Sequence, residues 1–175
     1  MIVLVACEES GTVRDAFTAA GHVAYSNDLQ HRDHPNHLTG DCVEAVKLRQ
    51  WDLIIMHPPC TALAVSGNRW YGKGMPRCKE RAESLAWTLA LGETAKRHSP
   101  RVAMENPGGV LFPEISEPVQ YVQPWEYGHR EMKRTGFALH NLPPLMPTDI
   151  IQPPHKGTDE YLEWQKVWRM PPSPG

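Results

Sequence analysis

Asp52-Leu53-Ile54-Ile55-Met56-His57-Pro58-Pro59-Cys60 decides how the rest of the chain is read. Leu53 to Met56 is a short apolar run, the length of a strand buried on both faces. Pro58 and Pro59 have no N–H to give a ladder, so the strand stops at His57. Cys60 is thereby carried on a stiff turn just past the carboxyl end of a strand. In an open α/β sheet that edge is where ligands bind, and a thiol there is a candidate nucleophile. A buried structural cysteine after an ordinary strand is the competing reading.

Working outward, Ile2 to Val5 reads as a buried strand and Thr12 to Ala20 as a helix with Val13, Ala16, Phe17 and Ala20 on its apolar face. Gly21 stops that helix. His22 to Ser26 reads as a second strand ending at Asn27-Asp28, which completes a unit the size of a βαβ crossover. His31 to Gly40 reads as polar loop, and Val43 to Arg49 as a short helix. Beyond Cys60, Ser66 to Gly72 reads as a loop. Pro76 to His98 carries the longest helical pattern, with Ala82, Leu85, Ala86, Leu89 and Ala90 on one face. Val102 to Met104 reads as a brief strand, Val119 to Val122 and Thr135 to Leu139 as weaker ones, and Tyr161 to Trp168 as a final helix. Strands alternating with helices predict an α/β, Rossmann-like three-layer sandwich with a mostly parallel sheet. One domain is expected over 1–175, irregular and proline-rich from about 143.

Composition narrows the class. Net charge is -2, so no overall basic bias points to nucleic acid or an anionic membrane. Cys7, Cys42, Cys60 and Cys78 are widely spaced without a C-x-x-C pair, which argues against a zinc ribbon or disulfide scaffold and suits a reducing cytoplasm. The apolar runs are too short to span a bilayer, and the N-terminus lacks a signal-peptide pattern, so no membrane is expected as a partner.

The first βα turn, Ala6-Cys7-Glu8-Glu9-Ser10-Gly11, lies where Rossmann-like folds hold a cofactor. It has one glycine and two carboxylates, which repel a pyrophosphate but tolerate a cationic group. Asp28 ends the second strand at a spacing where an acid binds ribose hydroxyls; a solvated turn aspartate is the plainer reading. Gly40-Asp41-Cys42 offers another acid at a strand end. Glu105 follows an apolar strand on the same expected edge as Cys60, and Gly108 and Gly109 after it leave room for a substrate against the backbone. A carboxyl in such a crevice can act as an acid, or simply sit at a helix start. His31-x-Asp33-His34-x-x-His37 has irregular spacing interrupted by Pro35, so no metal is expected. The tryptophans read mainly as core, except Trp70, which lies between Arg69 and Tyr71 where it can stack on a base.

Taken in order, these motifs resemble the S-adenosylmethionine-dependent DNA cytosine-C5 methyltransferases, in a minimal form without a large target-recognition region. Cys7 to Gly21 resembles the family's first, Gly-containing motif; Asp28 falls where the family has its ribose-binding acid; and Gly40-Asp41-Cys42 is similar to its G-D-I. Pro58-Pro59-Cys60 is similar to the catalytic P-P-C, Ser66-x-x-Arg69 to the loop over the target base, and Glu105-Asn106-Pro107 to its E-N-V. Tyr127 to Lys133 resembles Y-G-x-P-Q-x-R, with Arg130, Glu131 and Lys133 replacing Pro, Gln and Arg.

The resemblance implies an S-adenosylmethionine methyltransferase fold, with Cys7, Glu8, Gly11, Asp28, Leu29, Asp41, Cys42 and Pro58 around the cofactor. It implies Cys60 and Glu105 as catalytic residues, and Ser66, Arg69, Asn106, Arg130 and Lys133 toward DNA. The implied reaction is methyl transfer to C5 of cytosine through a Cys60 adduct, in the cytoplasm of a bacterial or phage-infected cell. That chemistry asks for a thiol pKa lowered by positive charge or a helix N-terminus. Two alternatives stay open: a methyltransferase acting on a free pyrimidine nucleotide, and a non-catalytic binding subunit with the same fold.

Overall fold

Val3, Leu4 and Val5 are wholly buried, because β1 (Ile2–Ala6) runs through the middle of a sheet covered on both faces. The computed structural model describes residues 1–166. Among them the further strands are β2 (Val23–Asp28), β3 (His37–Thr39), β4 (Leu53–Met56), β5 (Val102–Pro107), β6 (Val119–Val122) and β7 (Thr135–His140). The helices are α1 (Thr12–Ala19), α2 (Cys42–Lys47), α3 (Asn68–Tyr71), α4 (Cys78–His98) and α5 (Asp159–Glu163). The sheet order is β3-β2-β1-β4-β5-β7-β6. β1 pairs in parallel with β2 and β4, β2 with β3, and β4 with β5; β7 runs antiparallel between β5 and β6. The fold is therefore the expected Rossmann-like α/β sandwich with a mostly parallel sheet.

Alternate residues along each strand feed two cores, as a pleated sheet requires. Leu4, Ala6, Ile54, Met56, Val102 and Met104 pack with α2 and α4 residues such as Val46, Leu91 and Ala95. Val3, Val5, Ala24 and Leu53 pack on the other face under Val13 and Phe17 of α1. The order reverses between β1 and β4. A crevice opens at such a switch point, past the carboxyl ends of the strands.

Several local expectations are corrected. His31 to Gly40 is not all loop: β3 forms there because His37 turns inward, its Nδ1 2.9 Å from Ser26 Oγ and its Nε2 2.9 Å from the Gln30 carbonyl oxygen. Val102 to Met104 is only half a strand, since β7 pairs with β5 as far as Pro107. The Ser66 to Gly72 loop is a 3-10 turn (Val65–Gly67) running into α3. On α1, Arg14 is the buried residue, while Ala16 and Ala20 are exposed. On α4, Ala82, Ala86 and Ala90 are exposed, and Thr88, Leu91, Gly92, Thr94 and Ala95 are buried. Small and polar residues fit the tight space over the sheet there, so hydropathy alone misplaces the face. The last helix ends at Glu163, and Val167 and Trp168 lie outside the described residues.

Candidate active site

The ends of β4 and β5 are fastened to each other. β4 stops at Met56, and His57 extends the ladder by donating its N–H to the Ala6 carbonyl (3.0 Å). His57 Nδ1 then lies 3.1 Å from Glu105 Oε2. One residue further along each strand, the buried Asn106 donates from Nδ2 to the Pro58 carbonyl (3.0 Å). Beyond that, Val65 N–H donates to Gly108 O (3.1 Å) and Val110 N–H to Leu63 O (3.0 Å). A Cβ on Gly109 would lie 2.0 Å from the Leu63 carbonyl oxygen. The glycine thus serves packing between two loops rather than the approach of a substrate. From α4, Arg81 Nε donates to Ala62 O (2.6 Å) and its NH1 to Asn68 Oδ1 (2.8 Å), which clamps the loop after Cys60.

Cys60 itself is exposed at the rim, and its carbonyl accepts from Leu63 and Ala64 N–H groups in a tight turn. The protein around the sulfur pushes its thiol pKa up, the nearby Glu105 charge adds to this, and Lys133 opposes it. This corrects the expected lowering: two prolines replace the helix N-terminus that stabilises many thiolates, and the nearest carboxylate works against ionisation. Anything that neutralises Glu105 therefore favours the Cys60 thiolate. His57 Nε2 is buried without a partner among the described residues.

The other half of the crevice lies at the ends of β1, β2 and β3. Asn27, buried, donates from Nδ2 to Leu38 O (2.8 Å) and Gly40 O (3.0 Å), which brings Asp41 round beside Asp28. Both carboxylates raise the Cys7 thiol pKa, although the neighbouring Cys42 thiol and burial raise it more. Cys7, Asp28, Asp41 and Cys42 are thus one cluster. Asp41 Oδ1 caps α2 through Val43 N–H (2.7 Å), leaving Oδ2 for another partner. Asp28 Oδ1 accepts from Gln30 N–H (2.9 Å). Leu29 is exposed beside it and Pro58 is buried. Glu8 turns away: it is buried, and its carboxylate accepts from Val13 N–H (2.5 Å) and Arg14 N–H (3.3 Å) at the start of α1. Gly11 likewise faces the Arg14 guanidinium, not the crevice. Asp28 and Asp41 at these strand ends offer carboxylate acceptors, and Leu29 offers exposed apolar surface. That donor set suits a ligand with ribose hydroxyls, an amino group and positive charge.

Of the residues expected toward a substrate, Lys133 reaches the field of Cys60, whereas Asn106 is spent on Pro58. Arg69 lies 5.2 Å over the Trp70 ring, which is half exposed. Ser66 and Arg130 are exposed with no hydrogen bond from their side chains among the described residues. His57, Asn27 and Arg81 escape sequence reasoning. Only His57 carries a signal, its place immediately before the two prolines. Among the described residues no group of three His, Cys, Asp or Glu comes together to hold a metal ion.

Neither a protein-family model nor a curated protein sequence matches the chain. Solved structures do. A Thermoplasma acidophilum protein is 14% identical over 78% of this chain and 76% of its own, with a TM-score of 0.43. The S. pombe Dnmt2 methyltransferase is 11% identical over 79% of this chain and 48% of its own, with a TM-score of 0.49. The protein PH0851 is 17% identical over 79% of this chain and 42% of its own, with a TM-score of 0.47. The chain spans less than half the length of the latter two.

Proposed function

We propose that this chain transfers a methyl group from S-adenosylmethionine to C5 of cytosine in DNA through a covalent Cys60 adduct. One observation carries the reading: Cys60 follows β4 and Glu105 lies near the carboxyl end of the adjacent parallel β5, tied through His57–Glu105 and Asn106–Pro58, with the cluster of Cys7, Asp28, Asp41 and Cys42 across the switch point. The order of motifs resembling the cytosine-C5 methyltransferases supports the same reading.

Asp28 and Asp41 hold the cofactor's hydroxyl and amino groups, and Leu29 and Pro58 its flat base. S-adenosylmethionine supplies an electrophilic methyl group. Cytosine C5 is too poor a nucleophile to accept it unaided. The Cys60 sulfur adds to C6, and the ring's electron pair shifts toward C5. Glu105, in its acid form, hydrogen-bonds N3 and neutralises the charge that develops there. The Cys60 thiol passes its proton to the Glu105 carboxylate, which yields the thiolate that adds and the acid that meets N3, and removes a negative charge that opposes the thiolate. Once C5 carries the methyl group, water takes the C5 proton, Cys60 leaves as thiolate, and Glu105 ends the cycle beside a neutral N3. In duplex DNA the target base must first leave the stack, at a cost of roughly a few kcal/mol. Trp70 and Arg69, on the loop after Cys60, fill the gap or stack on the base.

The test is DNA carrying 5-fluorocytosine, from which fluorine cannot leave as a cation. With cofactor it forms a stable protein adduct, which Cys60→Ala abolishes and Cys78→Ala retains. An adduct that survives Cys60→Ala overturns the assignment. Turnover on dCMP with none on DNA moves the substrate to the free nucleotide.

A further inference from the structure

A second concavity lies beyond Lys133. It is an open groove of about 560 Å³ between the segment after β6 and the stretch leading into α5, and its lining includes Trp125, Met132, Arg134, His155, Lys156 and Tyr161. Its walls are joined: Ile151 N–H donates to Trp125 O (2.9 Å), and Met132 N–H to Trp164 O (2.8 Å). The concavity is therefore preformed.

Its chemistry is one-sided. Arg134 and Lys156 are exposed, and neither pairs with a carboxylate among the described residues, nor does any carboxylate line the groove. The Arg134 guanidinium lies 3.8 Å over the Tyr121 ring. Trp125 and Tyr161 add aromatic surface. Cations beside aromatic faces are the composition of a single-strand nucleic-acid groove, where phosphates meet the charges and bases stack. The chain as a whole is acidic, with net charge -2, so this local concentration is not a by-product of composition.

The groove adjoins the crevice. Met132 and Arg134 line it, while Lys133 between them acts on Cys60. The groove and the crevice thus share the segment from Met132 to Arg134, so a strand with one base at Cys60 continues toward the groove along it.

We propose that this groove binds the DNA strand flanking the target cytosine, with phosphate on Arg134 and Lys156 and a base against Tyr161 and Trp125. It takes the part of a recognition region, gripping the strand with little dependence on its sequence. The proposal rests on the reading of the chain as a DNA enzyme, but its test does not need methyl transfer.

The probe is oligothymidylate, which contains no cytosine. The wild-type protein binds it at low salt. Two lost phosphate contacts in Arg134→Ala/Lys156→Ala make the slope of log affinity against log salt shallower by about 1.4. Tyr161→Ala weakens binding roughly tenfold with the salt slope unchanged, the mark of a lost stack. Lys156→Glu, a single exposed change, weakens binding further than Lys156→Ala and guards against misfolding of the double variant, with melting curves as the check. Unchanged affinity and slope in the folded variants, no binding of oligothymidylate by wild type, or displacement by an aspartate-rich peptide each overturn the proposal. Oligothymidylate binding without a fluorocytosine adduct leaves the groove standing and removes the catalytic reading. An adduct with no groove effect does the reverse.

Discussion

The two halves of the crevice meet between β1 and β4 and are built in opposite ways. On the β1–β3 side the acids are spent close to home. Glu8 caps α1, Asp41 caps α2, and Asp28 holds the turn at Gln30. On the β4–β5 side the ties join residues 48 apart in the sequence, His57 to Glu105 and Asn106 to Pro58. The first half is assembled from local turns, and even places Cys7 at φ 59, a conformation that costs a non-glycine residue about 1–2 kcal/mol. The second half exists only once the sheet has closed. The difference suits the work of each. A cofactor is gripped by several acceptors that can each adjust. A nucleophile and its acid partner must be fixed within about 0.5 Å of productive geometry, which takes cross-strand support.

The comparison breaks most visibly at Glu105. Glu105→Gln should lower turnover by about 10²–10⁴-fold, the usual worth of a positioned acid. Yet iodoacetamide should alkylate Cys60 faster at neutral pH, because the charge that raises its thiol is gone. Lys133→Ala should slow the same alkylation. Slower labelling of Glu105→Gln places the carboxyl too far from the sulfur to act with it.

On the other half, Asp28→Ala should weaken S-adenosylmethionine binding by about 1.5–3 kcal/mol, or roughly ten- to a hundred-fold, by calorimetry. Alkylation of Cys60 should not change. Unaltered affinity puts the cofactor elsewhere and dissolves the division into halves.

Stability sharpens the contrast. Asn106→Ala leaves the Pro58 carbonyl without its partner in a buried place, at about 1–3 kcal/mol. Asp41→Ala removes a helix cap worth about 1 kcal/mol. Urea melts should therefore rank Asn106→Ala below Asp41→Ala. The reverse order makes the local ties the stronger ones.

The smallest effect is expected away from both halves. Glu117 receives Lys96 Nζ at 2.6 Å over a cavity between α4 and β7, and that ion pair holds its carboxyl below the ordinary range. A lowered folded pKa means that the stabilisation is complete above the unfolded carboxylate value and disappears as pH falls through the folded one. Glu117→Gln should cost about 1 kcal/mol at neutral pH, and its melting curve should converge with wild type in acid. A gap that persists in acid assigns the loss to packing.

Much of this was legible before any coordinates. Leu53 to Met56 followed by two prolines is strand and stop on any reading, because proline cannot pair. Cys60 at the strand end follows directly, as does the alternation that makes the sheet. The strand at Val119 to Val122 belongs to the same class of local signal. Glu105 shows where this reasoning ends. The residue and its neighbours were readable as a site, but it was expected after its strand. It lies inside because β7, some thirty positions later in the numbering, extends the ladder to Pro107.

The sequence by itself determined the strand order of events along the chain, the turn that carries Cys60, and the acids at the ends of the first strands. These depend on neighbours within a few residues, where backbone chemistry is decided. Tertiary structure alone decided that Gly109 yields its side-chain space to the Leu63 carbonyl, that Arg81 clamps the nucleophile's loop, that Glu105 raises the Cys60 thiol, and that Arg134 and Lys156 line one groove. Each of these joins residues far apart in the chain. Their contact depends on how strands stack and loops close, which no local pattern of residues records.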